Sequence, residues 1–449
     1  MRYLPLTEAD RQSMRRCMGI GSTSELFEDI PGKHRFPSMQ ELPEALSENR
    51  LLERFRDLAA ANDYESHLSF LGAGAYRHFI PEVVEHLSSR GEFLTPYTPY
   101  QPEVSQGSLQ AIFEYQTMIT QLTGMDISNA SLYDGGTAAA EALLLMQRKS
   151  RRNRILVAET LHPEYREIIE TYIQNLGIQV ETVPMDASTA RMDLEKLEAL
   201  LDGETGGVIF QSPNFFGVVE DSAAITRRAH SEKAYAAQIV TEAMSLALLK
   251  PAGEQGVDLV AGEAQSFGLP LGFGGPYLGF MATRAEFLRQ LPGRIVGETV
   301  DQEDRRGYVL TLSTREQHIK RERATSNICT NQAWCAVRAA MYMATLGRRG
   351  LMEIARANHL NAAYFAGKVA DLPNLEVVFT ADYFNEIVLR VKGTGVDELL
   401  SRLESAGILA GVPLKWFAPD YADCLLVNLT EMHRKSDIDR FADALGGSR

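Results

Sequence analysis

The stretch Val260-Ala-Gly-Glu-Ala-Gln-Ser-Phe-Gly-Leu-Pro-Leu-Gly-Phe-Gly-Gly-Pro-Tyr-Leu-Gly279 joins an apolar strand pattern to a polar cluster, Glu263-Ala-Gln265-Ser266. A Gly/Pro-rich loop follows, whose backbone can run close to a ligand. A second stretch, Asp134-Gly-Gly-Thr-Ala-Ala-Ala-Glu141, sets Gly135, Gly136 and Thr137 at the mouth of an Ala-rich helix. Unpaired N–H groups and the positive end of the helix dipole meet there, which is how a helix cradles a phosphate. The other reading makes Thr137 an N-cap after a tight turn. A third stretch, Tyr97-Thr-Pro-Tyr-Gln-Pro-Glu-Val-Ser-Gln106, excludes regular helix, because its prolines force extended geometry on the residues before them. Either its tyrosines fill a gap in the packing, or Tyr97, Tyr100 and Gln101 offer phenol and amide groups to a ligand or a partner subunit. Last comes a run of cations, Arg315, Lys320, Arg321 and Arg323, leading into Thr325-Ser-Asn327. It is either a solvated face or a place to hold a carboxylate or lock an interface.

A strand ending in an acid, a Gly-Gly-Thr helix start and a strand-to-Gly loop are parts of a pyridoxal phosphate (PLP) site. That chemistry also needs an amine for a Schiff base, an acid at the pyridine nitrogen and a phosphate cup. Glu242, at the end of Gln238-Ile-Val-Thr-Glu-Ala-Met244, stands where the acid is expected. The lysine belongs near residue 265, after the next strand, and the chain has Gln265-Ser266 instead. Lys250 follows Glu242 by only eight residues and falls on the wrong connection. An amide forms no imine, so this chain by itself is expected to hold no PLP covalently. The nine histidines make no HExxH or other metal spacing, and no GxSxG elbow, P-loop or GxGxxG occurs.

The elements that must position these residues are those of a soluble globular chain. Its 449 residues are enough for two or three domains. With 45 basic against 59 acidic residues, the net charge of −14 argues against a sequence-independent grip on nucleic acid. There is no apolar run long enough for a membrane helix and no secretory h-region near the start, so no membrane association is expected. Cys17, Cys329, Cys335 and Cys424 are scattered without a CxxC, which points to a reducing, cytoplasmic home. Of these, Cys329 and Cys335 read as buried apolar thiols.

Residues 1–65 read as an N-terminal arm, opening on a helix at Thr7–Met14 and a turn at Gly19, with too few periodic apolar positions for a core. From 66 to 330 the pattern is that of a large α/β domain. The helix 107–124 puts Leu109, Ile112, Phe113, Ile119 and Leu122 on one face and stops at Gly124. Strands are expected at 155–158, 178–183, 207–210, 238–241, 258–261 and 278–282, with helices such as 162–175 and 221–235 between them. Strand and helix alternating in this way mark a mostly parallel sheet covered on both faces. Residues 331–449 read as a smaller α+β domain: helices at 331–346 and 353–372 either side of Gly347, strands at 376–379 and 386–391, a helix at 397–406 and a strand at 424–428.

Three long motifs carry a family resemblance: TPYQPEVSQGSLQAIFEYQTMITQLTGMDISNASLYDGGTAAAEA, LALLKPAGEQGVDLVAGEAQSFGLPLGFGGPYLGF and REQHIKRERATSNICTNQA. With them the chain resembles, essentially end to end, the P-protein (glycine decarboxylase) family of the glycine cleavage system, on the side of its α, N-terminal-type subunits. The resemblance implies the type I PLP-dependent (aspartate aminotransferase-like) fold. It implies an α2β2 assembly in which only the β subunit carries the lysine, in a His-Lys-Thr context before a PHGGGGP-like loop. Here Gln265 stands five residues before Pro270, where that lysine would be. PLP would then sit on the β subunit, and glycine would be decarboxylated there and its aminomethyl group passed to the lipoyl group of H-protein. Tyr97, Tyr100 and Gln101 become candidate contributors to a site shared by α and β, and Gly135, Gly136 and Thr137 a vestigial phosphate cup. One departure is Thr241-Glu-Ala243, where the family often has Asp-Pro; the longer Glu242 weakens any pyridine-nitrogen role here. Two further readings are a self-sufficient PLP enzyme using Lys250 and a cofactor-free regulatory or scaffold subunit.

Overall fold

The computed structural model describes residues 5–35, 42–328 and 331–447. The chain divides into two compact units, Met1–Glu65 and Ser66–Arg449. In the first, the helix Glu8–Met18 starts with a reciprocal cap: the Asp10 N–H donates to Thr7 Oγ1 at 3.2 Å, and the Thr7 N–H donates to Asp10 Oδ2 at 2.7 Å. A second helix, Glu48–Ala60, follows. Neither helix buries a residue, and Leu51, Leu52, Phe55 and Leu58 of the second are exposed.

The second unit is organised by a seven-stranded sheet. In spatial order its strands are Ile127–Ser128, Gly279–Thr283, Leu259–Glu263, Tyr235–Val240, Thr205–Gln211, Arg154–Ala158 and Gln179–Val183. Only Gly279–Thr283 runs antiparallel to its neighbours. The central strands are apolar on both faces because helices cover both, so Val208, Ile209 and Phe210 are all buried in succession. Each such side chain contributes roughly 1.5–3 kcal/mol by leaving water. The helix Gly135–Ser150 lies against this sheet through Ala138, Ala139, Ala140 and Ala142, whose small side chains allow a close approach. The helix Gln106–Thr123 ends at Gly124, whose φ of 68° is the left-handed cap that glycine adopts without strain.

The long helix Ala333–Val369 is broken at Gly347, where φ 59° and ψ −178° leave the helical region. Sequence reasoning places the break correctly, but helix resumes directly after it rather than at 353. Beyond it, an antiparallel sheet of four strands orders Leu375–Val377, Glu386–Val391, Cys424–Asn428 and Val412–Pro413. Leu68–Ser69 pairs in parallel with Ile408–Leu409, so the segment just after residue 66 packs with the C-terminal part. Phe70 completes that contact by stacking on His433 and Phe441 at 4.5 and 4.1 Å. Sequence reasoning gave no sign of this pairing. Nor did it give the antiparallel hairpin Ile295–Val300 with Arg306–Thr311. Cys335 and Cys424 are buried and Cys17 is exposed, while Cys329 lies outside the described residues. No helix of the described residues is long and apolar enough to cross a membrane, and no cluster of metal-ligating residues occurs among them.

Candidate functional site

The Gly-Gly-Thr turn is built differently from the sequence expectation. Asp134, not Thr137, is the N-cap of the helix Gly135–Ser150. Its Oδ1 accepts from the Thr137 N–H at 2.8 Å, and Thr137 Oγ1 accepts from the Asp134 N–H at 3.2 Å. A carboxylate outcompetes a hydroxyl as acceptor at the positive helix end, which leaves Thr137 to close the cap from the third helical position. The Gly135 N–H donates to Glu263 Oε2 at 2.9 Å. Glu263 Oε1 accepts from the N–H groups of Gln265 (3.0 Å) and Leu278 (2.7 Å). A carboxylate of the chain itself therefore sits at this helix N-terminus. Burial pushes the Glu263 carboxyl up to about 7, against the pull of the three N–H donors. Side chains close the remaining space: a Cβ on Gly135 would overlap the Tyr165 phenol oxygen, and one on Gly136 would overlap Ile168 Cδ1.

Gln265 is buried in the next polar cluster, and both ends of its amide are used. Its Nε2 donates to the Leu269 carbonyl at 2.6 Å, and its Oε1 accepts from the Tyr76 N–H at 3.3 Å. Tyr76 in turn donates its hydroxyl to Glu386 Oε2 at 2.8 Å, while Glu386 Oε1 accepts from the Ala73 N–H at 2.7 Å. Burial raises the Glu386 carboxyl to about 7. Glu242 is engaged as well: His78 Nε2 lies 3.0 Å from its Oε2, and its Oε1 accepts from the Met244 N–H at 2.9 Å. The other ring nitrogen of His78 is 2.9 Å from Glu431 Oε2, and Glu431 Oε1 accepts from the Phe79 N–H at 2.8 Å. Burial alone would lower the His78 pKa, but Glu242 and Glu431 outweigh it and raise the imidazole to about 10. Lys250 is exposed on the connection after Glu242, at the rim of an apolar groove of about 910 Å³ that Met118, Leu122, Met343 and Met352 also line.

These residues do not fit a PLP held covalently by this chain. Position 265 carries an amide with both ends hydrogen-bonded. The acid at 242 is paired with an imidazole. The Gly135 N–H is taken by Glu263, and Tyr165 and Ile168 occupy the space over the turn. A closed network of this kind can hold protons and fix backbone, and it offers no nucleophile.

The third stretch behaves in the opposite way. Tyr97 is 78% exposed and Tyr100 51%, and Gln101 is exposed beside them. Gln106 fastens this loop to the hairpin: Nε2 donates to the carbonyls of Pro102 and Tyr308, and Oε1 accepts from the Tyr308 N–H, each at 2.8 Å. Arg294 Nη2 donates to the Tyr100 phenol oxygen at 3.0 Å. Of the basic run, Arg315 is buried and donates to the Leu291 carbonyl, whereas Lys320, Arg321 and Arg323 are exposed. Ser326 Oγ donates to Glu141 Oε1 at 2.7 Å.

The structure thus joins Gly135 to Glu263, Gln265 to Tyr76, and Tyr100 to Arg294. Tyr100 meets Arg294 and His318, and Gln106 meets Tyr308 of the hairpin, and none of these partners belongs to the Gln265 cluster. Sequence reasoning missed His78, Glu386, Glu431 and Arg294. A carboxylate at the end of an apolar strand (Glu263 in Leu259–Glu263, Glu386 opening Glu386–Val391) was the available signal, since such a group must be paired or protonated when buried.

The glycine cleavage system P-protein family model matches residues 1–445. "Probable glycine dehydrogenase (decarboxylating) subunit 1" of Koribacter versatilis is 46% identical over 98% of this chain and 99% of its own length. The protein of the same name from Moorella thermoacetica is 46% identical over 100% of this chain and 99% of its own. A crystal structure of glycine decarboxylase (P-protein) of the glycine cleavage system, in inhibitor-bound form, superimposes with a TM-score of 0.90 at 41% identity, covering 100% of both chains. Sphingosine-1-phosphate lyase of Burkholderia pseudomallei (TM-score 0.67, 16% identity, 93% of this chain and 94% of that one) and glutamate decarboxylase of Lactobacillus brevis (0.70, 15%, 95% and 96%) share the fold. That fold is the type I fold of PLP-dependent enzymes, with its mostly parallel central sheet. Matched from end to end by the family model and by relatives of its own length, the chain belongs to the glycine cleavage system P-protein family.

Proposed function

We propose that this chain is the α subunit of a P-protein. In this reading a related β chain carries PLP on a lysine, and the two together decarboxylate glycine and pass the aminomethyl group to the lipoyl group of H-protein. The single observation that carries it is the state of the Gln265 cluster, buried and hydrogen-bonded to itself in a chain that otherwise keeps the whole fold. Such a chain contributes surface and polar groups rather than a cofactor. Tyr97, Tyr100 and Gln101 are our candidates for the site shared with β, because they stay exposed on a loop that is fastened at its base. An α2β2 assembly in the cytoplasm is the arrangement we propose.

Glycine–CO2 exchange tests the reading, measured with this chain alone, with the β chain alone, and with both in the presence of PLP and lipoylated H-protein. Exchange is expected only when both chains are present. Exchange by this chain alone would overturn the proposal. Full exchange by the β chain alone would turn it into a scaffold.

A further inference from the structure

We infer that Arg294 is a positioning residue of the shared site, one that aims the Tyr100 phenol at an acceptor group of the ligand. The inference rests on reading the Tyr97–Gln101 loop as part of that site. Arg294 is 3% exposed. It stands just before the hairpin strand Ile295–Val300, and its carbonyl accepts from the Ala130 N–H at 2.8 Å, so its backbone is fixed to the large sheet's edge.

From there the guanidinium reaches three segments that are far apart in sequence. Nη2 donates to Tyr100 Oη at 3.0 Å, and Nη1 lies 3.5 Å from Thr98 Oγ1 and donates to Asn331 Oδ1 at 3.2 Å. Nε is 3.7 Å from Glu316 Oε2, which balances the buried charge. The Tyr100 ring lies 5.3 Å from the guanidinium carbon, and the His318 ring packs edge-on to it at 5.8 Å. A planar fork of fixed donors suits this work, because it holds several acceptors at once in one geometry. Lysine has a single ammonium and cannot reproduce the fork.

The direction of the hydrogen bond sets what Tyr100 can meet. Arg294 has no acceptor, so the phenol oxygen accepts from it and keeps its own O–H free to donate. Tyr100 is half exposed, so its donor is available to an acceptor from outside the chain, with the Arg294–Glu316 pair behind it. A carboxylate is the acceptor that binds such an outward O–H donor most strongly.

The test uses the reconstituted two-chain complex with Tyr100→Phe, Arg294→Lys and the double variant. Arg294→Lys keeps a cation opposite Glu316, and thermal melting and gel filtration check that it folds and assembles. Each single variant is expected to lower kcat/KM for glycine exchange about 10-fold. The double variant is expected to be no worse than Tyr100→Phe alone, because Arg294 acts through the phenol oxygen. If the two losses multiply in a folded complex, Arg294 has only a structural part and the inference fails while the loop keeps its place. If Tyr100→Phe leaves exchange unchanged, the loop leaves the site, and the inference falls with it.

Discussion

Replacing His78 by alanine lowers the unfolding free energy of the chain by about 3–5 kcal/mol, the usual cost of removing one partner from a buried ion pair. The imidazole bridges Glu242 and Glu431, 3.0 and 2.9 Å from its two nitrogens. It gives the buried Glu242 side chain a hydrogen-bonding partner. Without it, two acids face a cavity with no cation between them. The pH dependence has a defined sign. The folded-state pKa of His78, about 10, lies above its ordinary 6.5, so the stability it supplies is complete below pH 6.5 and is lost as pH rises through about 10. Urea unfolding of wild type and His78→Ala at pH 7 and pH 10 measures both effects. The variants should differ most at pH 7 and converge toward pH 10. A difference below about 1 kcal/mol at pH 7 would contradict the pairing.

Glu263→Gln is expected to flatten the chain's pH–stability profile. Burial raises the Glu263 carboxyl from 4.5 to about 7. Stability associated with the protonated acid is therefore complete below pH 4.5 and is lost as pH rises through about 7, because the unfolded chain releases that proton first. A shift of this size corresponds to about 3 kcal/mol, an order-of-magnitude figure. Glu220 and Glu386, also raised to about 7 by burial, act in the same direction. The wild-type chain should be more stable near pH 5 than near pH 8. Glutamine does not titrate, but its NH2 replaces one of the two oxygens that accept N–H groups, so at pH 5 the variant should be about 1–3 kcal/mol less stable than wild type. Its urea midpoint should then fall less steeply toward pH 8. Parallel profiles for the two proteins would show that Glu263 does not titrate in this range.

The sequence made the large sheet legible because strands covered on both faces are unbroken apolar runs, as in Val208-Ile-Phe210, separated by amphipathic helices. Family motifs then placed Gln265 and the Tyr97–Gln101 loop. What stayed hidden was long-range. Leu68–Ser69 pairs with Ile408–Leu409 through a two-residue strand too short to have a period. The hairpin around 300–306 carries its charges, Asp301 to Arg306, at the tip and on an exposed edge, which reads as loop. Glu263 was visible as a polar residue in a quoted motif, yet nothing local says that its carboxylate reaches the N–H of Gly135, 128 residues away. Likewise His78, Glu242 and Glu431 come from three separate segments, and only the folded chain shows that one imidazole bridges two acids. Which residue caps the helix Gly135–Ser150 is not legible either, because both Asp134 and Thr137 are good capping residues and the spacing alone does not decide which takes the N-cap.

The most direct test of the central claim, that this chain gave up its own cofactor site, is to fix the cofactor where it is held. Borohydride reduction of the reconstituted complex with PLP, followed by peptide mass mapping of both chains, locates the pyridoxyl group. The expected result is one modified lysine on the β chain and none on this chain. A pyridoxyl-lysine on this chain, at Lys250 or anywhere else, would contradict the account.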